Sequence, residues 1–163
     1  MRQINMAGLD LVKKYEGYRA TAYVCPAGKL TIGYGHVILD HESYYKTANI
    51  SESEAHALLL TDMADAERAV EKLIKVELSD NQFAALCSFT FNLGSGNLKA
   101  STLRKLLNKG HYQSVPEQLN RWVYTGKIKL SGLVKRRAEE GLLFLKEDGL
   151  LGRCSCHRRL DHA

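Results

Sequence analysis

Apolar residues recur at helical spacing along several stretches of the chain, and serine-led capping signals mark where two of these stretches begin. Two residue pairs have the spacing of a capping box: Ser51 with Glu54, and Ser79 with Gln82. After the first box, apolar residues repeat every three or four positions: Ala55, Leu58, Leu59, Ala66, Val70 and Leu73. We therefore predict a long helix over about 51–75. A second helix is expected after the second box and should end near Gly94.

The N-terminal part of the chain predicts a shorter helix followed by a β-hairpin. Asn5 is a favourable N-cap and Gly17 a typical stop, so the first helix should end at Tyr15 or Glu16. The hairpin segments are, in order, the β-prone run Thr21–Val24, the turn Pro26–Gly28 and the returning run Leu30–Ile32. The segment from Gly33 to Asn49 is predicted to be a loop.

Three further helices are predicted in the second half of the chain. They cover Ser101–Asn108, then Ser114–Trp122 with Pro116 in the first turn, and finally Leu133 to Glu147 with a stop near Gly149. No internal repeat or low-complexity segment interrupts this pattern. The expected fold class is thus α+β and mostly helical, with one small hairpin near the N-terminus.

Composition agrees with this fold and limits the function classes. A chain of 163 residues with 45% hydrophobic residues can form one domain or two closely packed lobes around a sizeable core. No stretch is long enough to span a bilayer, and Asp10 and Lys13-Lys14 interrupt the N-terminal apolar run. We therefore expect neither a signal peptide nor a membrane anchor, and a protein made and retained in a cytoplasm until another component releases it.

The four cysteines do not indicate a metal site. Cys25, Cys87, Cys154 and Cys156 match no zinc-binding spacing, and a Cys-x-Cys pair is too short for an ordinary disulfide. Cys87 lies on the apolar face of a predicted helix, so we expect a small core residue. Free thiols are typical of a reducing compartment.

The positive charge is concentrated at the C-terminal end of the chain. The net charge is +5, and residues 121–163 contain ten Lys and Arg against five Asp and Glu, whereas the preceding parts are balanced. One interpretation is contact with an anionic polymer such as nucleic acid, teichoic acid, lipopolysaccharide or peptidoglycan. In this interpretation Lys135, Arg136 and Arg137 at the start of the last helix belong to the basic surface. The other interpretation is a solvated helix face and a basic tail without a partner, with Arg136 and Arg137 paired with carboxylates inside the helical lobe.

Candidate chemistry is concentrated around the first helix and the hairpin. Glu16 lies at the negative end of the helix dipole, which disfavours its ionised form, and the flanking Tyr15 and Tyr18 could shield it from water. A carboxyl group that keeps its proton is suited to general acid catalysis. Cys25 and Thr31 lie at the two ends of the hairpin turn, which brings them close together. From position alone, Glu16 could equally be an ordinary exposed glutamate.

Several motifs are similar to those of the phage lysozymes of glycoside hydrolase family 24. The family pattern is a Glu, eight residues, an Asp or Cys, five residues and a Thr, and Glu16, Cys25 and Thr31 fit it. The surrounding runs Glu-Gly-Tyr at 16–18 and Gly-Lys-Leu-Thr-Ile-Gly-Tyr-Gly-His at 28–36 also resemble the family's active-site segment. Two later blocks, 78–94 and the Gly-Leu-x-x-Arg-Arg block at 132–140, resemble its later helices. The resemblance covers about residues 5–147.

The resemblance implies a phage-lysozyme-like fold in one domain over 1–163. A small N-terminal lobe (1–50) with the hairpin would be joined by a connecting helix (51–75) to a helical lobe (76–150), and a basic tail (151–163) would follow. The family hydrolyses the β-1,4 bond between N-acetylmuramic acid and N-acetylglucosamine of peptidoglycan. The resemblance implies an endolysin that acts as a monomer in host cell lysis, with a phage holin opening the inner membrane. No metal or organic cofactor is implied.

The catalytic roles implied by the resemblance are Glu16 as the acid and Thr31 as a residue that holds the attacking water. Cys25 departs from the Asp that many members carry, and a thiol is mostly neutral at pH 7 unless its pKa is shifted. Its role stays open between a partial thiolate, water positioning and a minor contribution. The absent carboxylate also keeps a lytic transglycosylase as an alternative, with 1,6-anhydro products. A basic nucleic-acid- or wall-binding module without catalysis is a further alternative.

His36 has no second and third ligand at a spacing typical of a metal site, so a structural role is favoured. In the resembling family this histidine pairs with an acid on the connecting helix, and Asp62 occupies that place here. We expect an ion pair that ties the hairpin to the long helix, with the pKa of His36 raised and that of Asp62 lowered.

Overall fold

The computed structural model describes residues 1–148, and the basic tail therefore lies outside the described residues. Seven helices in this part follow the chain in order: α1 (Met6–Glu16), α2 (Glu52–Leu73), α3 (Asp80–Leu93), α4 (Ser95–Ala100), α5 (Thr102–Asn108), α6 (Val115–Leu119) and α7 (Ser131–Leu145). The strands are β1 (Arg19–Val24), β2 (Leu30–Gly33), β3 (His36–Val37), β4 (Tyr124–Thr125) and β5 (Ile128–Lys129). Single 3-10 turns occur at Ser43–Lys46 and Tyr112–Ser114. The fold is mostly helical with a small sheet, as the sequence predicts.

The helix ends confirm the capping signals read from the sequence. The Asn5 side chain accepts the backbone N–H of Gly8 at the start of α1, and Gly17, with φ of 71°, follows its last residue. Both capping boxes are formed, that of Ser51 before α2 and that of Ser79 before α3. These contacts satisfy backbone groups that the first helical turn leaves without a partner, so the starting points are fixed locally.

The N-terminal sheet has three antiparallel strands rather than two. The predicted hairpin is confirmed as β1 and β2, with Tyr23 opposite Thr31. The expectation of a loop throughout 33–49 is wrong at β3, where His36 pairs with Ile32. Gly33 and Gly35 have φ of 67° and 88°, and these left-handed conformations turn the chain back onto β2 within two residues.

Helix α3 forms the centre of the core and contacts α1, α2, α4 and α7. Nine of its residues are buried, among them Phe83, Leu86 and Phe89. Cys87 is fully buried as expected, and burial raises the pKa of its thiol. Helix α2 reaches from β2 and β3 to α3 and α4, so it connects the sheet to the helical part of the chain.

Short elements of the second half differ from the prediction. Helix α4 and the β4–β5 hairpin were not expected, because elements of two to six residues carry little periodic signal. Helix α6 is five residues long and begins at Val115, with Pro116 in its first turn. Helix α7 begins at Ser131, two residues earlier than predicted, and ends at Leu145.

Candidate active site

Glu16 is the last residue of α1, and its side chain retains 23% exposure. Its Oε1 atom accepts a hydrogen bond from Nη1 of Arg136 on α7 at 2.7 Å. On the other side lies Gly35, whose φ of 88° is a left-handed conformation that favours glycine, and a Cβ atom there would be in van der Waals contact with Oε2 at 3.4 Å. The carboxyl group is therefore held between α7 and the turn after β2, with one part of its surface open to solvent.

The two tyrosines that flank Glu16 have different surroundings. The Tyr15 ring faces the guanidinium of Arg136, with 5.8 Å between the Cζ atom and the ring centroid. Tyr18 donates its hydroxyl hydrogen to the Ile50 carbonyl at 2.5 Å, and its ring lies 5.8 Å from that of Tyr34. Tyr15 thus covers the arginine that holds Glu16, whereas Tyr18 anchors the start of β1 to the segment before α2.

The hairpin turn brings Cys25 and Thr31 together, as the sequence predicts. The backbone N–H of Cys25 donates to the Lys29 carbonyl at 2.9 Å, and Gly28 N–H donates to the Cys25 carbonyl at 2.8 Å. The backbone N–H of Lys29 lowers the pKa of the half-buried Cys25, and burial opposes this shift to a smaller extent. The turn therefore favours the thiolate more than an ordinary exposed position would.

Thr31 is buried, and its Oγ1 atom donates to the Lys29 carbonyl at 3.0 Å. Because a hydroxyl has one hydrogen and two lone pairs, this bond leaves Thr31 able to accept a hydrogen bond from a neighbouring group or water. Helix α1 and the hairpin therefore contribute three chemical groups: a partly exposed carboxyl group, a thiol with a lowered pKa and a hydroxyl group that can accept a hydrogen bond.

A buried network of charged side chains lies next to Glu16, and its partners on α1 and α3 were not predicted from the sequence. Arg136 donates from Nε to Oε1 of Glu140 at 3.3 Å and from Nη2 to the Ser88 carbonyl at 3.3 Å. Ser88 Oγ donates to the same Glu140 oxygen at 2.7 Å, and Arg137 donates to the other oxygen of Glu140 and to Asn92. Burial raises the pKa of Glu140, and the charges of Arg137 and Arg136 act against that shift.

The network agrees with the interpretation in which Arg136 and Arg137 pair with carboxylates inside the helical lobe, and not with the one in which they contribute to a basic surface. Arg136 is 3% exposed, and Arg137 and Glu140 are fully buried. The signal was present in the sequence, because these three residues and Phe144 recur at helical spacing on the one face of α7 that packs against α3.

His36 forms the expected ion pair and a second one that was not expected. Its Nδ1 atom lies 2.8 Å from Oδ2 of Asp62 on α2, and its Nε2 atom lies 2.9 Å from Oε2 of Glu42. Burial alone lowers the pKa of His36, but the bonds to Glu42 and Asp62 outweigh it, so the pKa is raised. A hydrogen bond from the backbone N–H of Leu39 lowers the pKa of Glu42, and the hydrogen bond to His36 lowers it further. The pair ties β3 to the connecting helix α2.

The expectation that the pKa of Asp62 is lowered is wrong. Desolvation by burial raises the pKa of Asp62 and outweighs the attraction of His36. The charged form of a half-buried carboxylate is disfavoured wherever its partner compensates only part of the lost hydration. Nearby Glu42 and Asp65 carry like charge and act in the same direction as burial.

These shifts predict a pH-dependent contribution of His36 to stability. Because its folded pKa lies above 6.5, the contribution is fully present below pH 6.5 and is lost as pH rises through the folded value. Thermal unfolding of wild type and His36→Gln should therefore differ most in mildly acidic buffer and converge at alkaline pH. An NMR titration should give His36 a pKa above that of a model peptide, and an unshifted value would contradict the assignment.

Two kinds of feature are absent from residues 1–148, a metal-ligand cluster and a membrane-spanning helix. No group of three or more His, Cys, Asp or Glu side chains in this range is arranged to hold a metal ion. No helix in the same range is long and apolar enough to cross a membrane.

Comparison with known proteins places the same segments in a known family. A family model described as phage lysozyme matches residues 13–140. The endolysin of Bacillus phage B103 is 42% identical over 144 residues, which cover 87% of this chain and 54% of that protein. The endolysin of Salmonella phage P22 is 36% identical over 146 residues, 89% of this chain and 99% of the relative. The chain thus spans about half of the Bacillus phage protein and nearly all of the Salmonella phage one.

Solved structures agree with these relatives. A crystal structure of a P22 lysozyme mutant superposes with a TM-score of 0.82 at 35% identity, covering 90% of this chain and 100% of the other. The muramidase domain of SpmX from Asticaccaulis excentricus gives a TM-score of 0.81 at 34% identity, with the same coverage.

Proposed function

The chain belongs to the phage lysozyme family, and from this premise we propose that it is an endolysin that cleaves bacterial peptidoglycan with Glu16 as its acid. It is a glycoside hydrolase of the lysozyme kind, and its target is the β-1,4 bond between N-acetylmuramic acid and N-acetylglucosamine. The observation that carries the proposal is the carboxyl group of Glu16, which is partly open to solvent, bonded to Arg136 at 2.7 Å and next to Gly35, two residues after the end of β2.

In the proposed reaction, Glu16 donates its proton to the glycosidic oxygen while the bond from that oxygen to the anomeric carbon breaks. The leaving sugar departs with a new hydroxyl group, and Glu16 is left as a carboxylate. The guanidinium of Arg136, 2.7 Å away, stabilises this negative charge without moving. A water molecule supplies the hydroxyl group that bonds to the anomeric carbon.

We assign the attacking water to the hairpin side of the site. Thr31 accepts a hydrogen bond from this water, because its own hydrogen is already donated to Lys29. Cys25 takes the place that a carboxylate has in many members of the family. Its lowered pKa increases the fraction of thiolate, which accepts the second proton of the water as the new bond forms.

The glycan strand is proposed to bind between a lobe of residues 1–50 and a lobe of residues 76–150, on either side of α2. The hydrogen bond between Glu16 and Arg136 of α7 joins the two parts of the chain at the proposed site. In support, α2 contacts β2 and β3 at one end and α3 and α4 along the rest of its length. The protein is proposed to act as a monomer and without a cofactor.

Mass spectrometry of peptidoglycan digested by the purified protein tests the proposed reaction. Hydrolysis should release muropeptides with reducing ends, and protein with Glu16→Gln should release almost none under the same conditions. Products with 1,6-anhydro ends would instead establish a lytic transglycosylase, in which the muramic 6-hydroxyl replaces water. Intact glycan strands after prolonged incubation would contradict both enzymatic assignments.

The place of action is proposed to be the bacterial cell wall, which the protein reaches from the host cytoplasm when the host is lysed. A second proposal is that the C-terminal end of the protein adheres to the wall or to outer-membrane lipopolysaccharide. Arg136 and Arg137 do not contribute to this adhesion, because they are buried. The described part of that surface combines cationic Lys135 and Lys146 with the apolar side chains of Leu142 and Leu145, which are 70% and 49% exposed.

Deleting residues 152–163, which lie outside the described residues, should weaken binding to intact cells at low salt. Exposed charges are screened within about 8–10 Å at physiological salt, so the difference between the two proteins should shrink as salt is added. Hydrolysis of soluble glycan fragments by the shortened protein should remain at the wild-type rate. Equal cell binding at low salt would show that the tail has no part in adhesion, and a gel shift would reveal any affinity for nucleic acid.

A further inference from the structure

Three charged side chains of α7 are buried beside the candidate active site, and their burial needs an explanation other than stability. Arg137 and Glu140 are 0% exposed and Arg136 is 3% exposed. Desolvating charges is costly, and replacing a buried ion pair by apolar side chains is often neutral or stabilising. Arg136 also reaches out of the network to Glu16, which suggests that the cluster serves the carboxyl group at the site.

The network holds the guanidinium of Arg136 from three sides. Its Nε atom donates to Glu140, its Nη2 atom donates to the Ser88 carbonyl, and its Nη1 atom donates to Glu16. Glu140 in turn accepts from Ser88 Oγ at 2.7 Å and from Arg137. Because a guanidinium is planar and rigid, fixing two of its nitrogens fixes the direction of the third. The position of Glu16 is thus determined by residues that do not touch it.

We propose that Glu140 is a positioning residue that acts on Glu16 through Arg136, holding the guanidinium in place and sharing its positive charge. The inference rests on the function proposed above. An acid catalyst must carry its proton before the reaction, and a cation at 2.7 Å opposes this. Glu140 accepts from Nε of the same guanidinium at 3.3 Å, so the positive charge of Arg136 is shared between two carboxyl groups. Without Glu140, Glu16 would be the only carboxyl group in contact with Arg136 among the described residues.

The other charged groups near Glu16 have contacts elsewhere. Lys14 of α1 pairs with Glu139 of α7, and His36, next to Gly35, pairs with Glu42 and Asp62. Near the network, α3 contributes the uncharged Ser88 and Asn92. Lys13 of α1 lies over the Tyr34 ring, and Lys29 contributes backbone groups to the hairpin turn. Glu140 is therefore the carboxylate that shares the arginine with Glu16.

The test is the pH dependence of kcat for Glu140→Gln, with Glu139→Gln as the matched control on the same helix. Loss of the buried negative charge should move the alkaline limb of the profile by about one pH unit towards acid, so that kcat falls about tenfold on that limb. Glu139 is partly exposed and pairs with Lys14, not with Arg136, so Glu139→Gln should leave the limb in place. Glu140→Asp keeps the charge and should restore the wild-type limb, even if its kcat is lower.

Ser88→Ala provides a second test. It removes a single buried oxygen, so the core does not have to accommodate a new group. Loosening the guanidinium should lower kcat several-fold and leave KM unchanged. A wild-type kcat for Ser88→Ala, or an unmoved limb for folded Glu140→Gln, would overturn the positioning role. Both results test the positioning role of Glu140 only if Glu16→Gln is inactive. An active Glu16→Gln would instead reject the proposed function itself.

Discussion

Replacing Glu16 with glutamine should lower the rate of peptidoglycan cleavage by about two to four orders of magnitude. The amide preserves the shape of the side chain, and its carbonyl oxygen can still accept the Arg136 hydrogen bond, which is 2.7 Å long in the wild type. It has no proton to donate to a leaving oxygen, so the loss should be in kcat and not in substrate binding. Clearing of cell-wall suspensions measures the rate.

The matched control for this substitution is Glu117→Gln on α6, an exposed glutamate far along the chain from the site. It should clear the suspension at the wild-type rate, and thermal unfolding of both variants should show that they are folded. If Glu16→Gln clears cell-wall suspensions almost as fast as the wild type, the assignment of Glu16 as the acid is wrong.

Replacing Cys25 with alanine should lower the rate by about tenfold to a hundredfold, less than the loss at Glu16. The hairpin turn lowers the pKa of the thiol, and alanine offers no group that can accept a proton from water. Cys25→Asp supplies a carboxylate in the same place and should stay active. The rate of each variant, measured on the same wall preparation, separates these outcomes.

Thiol chemistry gives an independent measurement of the same residue. An alkylating reagent should inhibit the wild type, and its reaction rate should rise with pH around a midpoint below that of an ordinary thiol. Cys25→Asp keeps Cys87, Cys154 and Cys156 and should resist the reagent, so inhibition through those cysteines would be detected. Full activity of Cys25→Ala would remove the thiol from the mechanism.

Features that depend on neighbouring residues could be predicted from the sequence. The ends of α1 at Asn5 and Gly17 and the capping box of Ser51 are decided by contacts within one helical turn. The hairpin that brings Cys25 close to Thr31 follows from its turn residues in the same way. Strand β3 was missed because its two residues, His36 and Val37, form a strand only by pairing with β2.

The parts that could not be predicted depend on contacts between distant segments. Nothing near Arg136 in the sequence indicates that its partners are Glu16 and Ser88, and the basic run around it is equally typical of a solvated face. The direction of the Asp62 shift depends on how burial compares with the attraction of His36, and burial is a property of the folded chain. Local sequence signals determine where helices and strands begin and end. The balance of charges in the core depends on contacts that form only in the folded protein.

The hydrogen bond between Glu16 and Arg136 joins residues 120 positions apart, and this separation has a consequence for synthesis on the ribosome. Helix α1 emerges first, but its carboxyl group lacks its partner until α7 has left the exit tunnel and packed against α1 and α3. Nascent chains and truncated products that stop before Ser131 therefore carry the motif of Glu16, Cys25 and Thr31 without a completed site. Lytic activity should arise only at the last stage of translation, when the whole of α7 has been added.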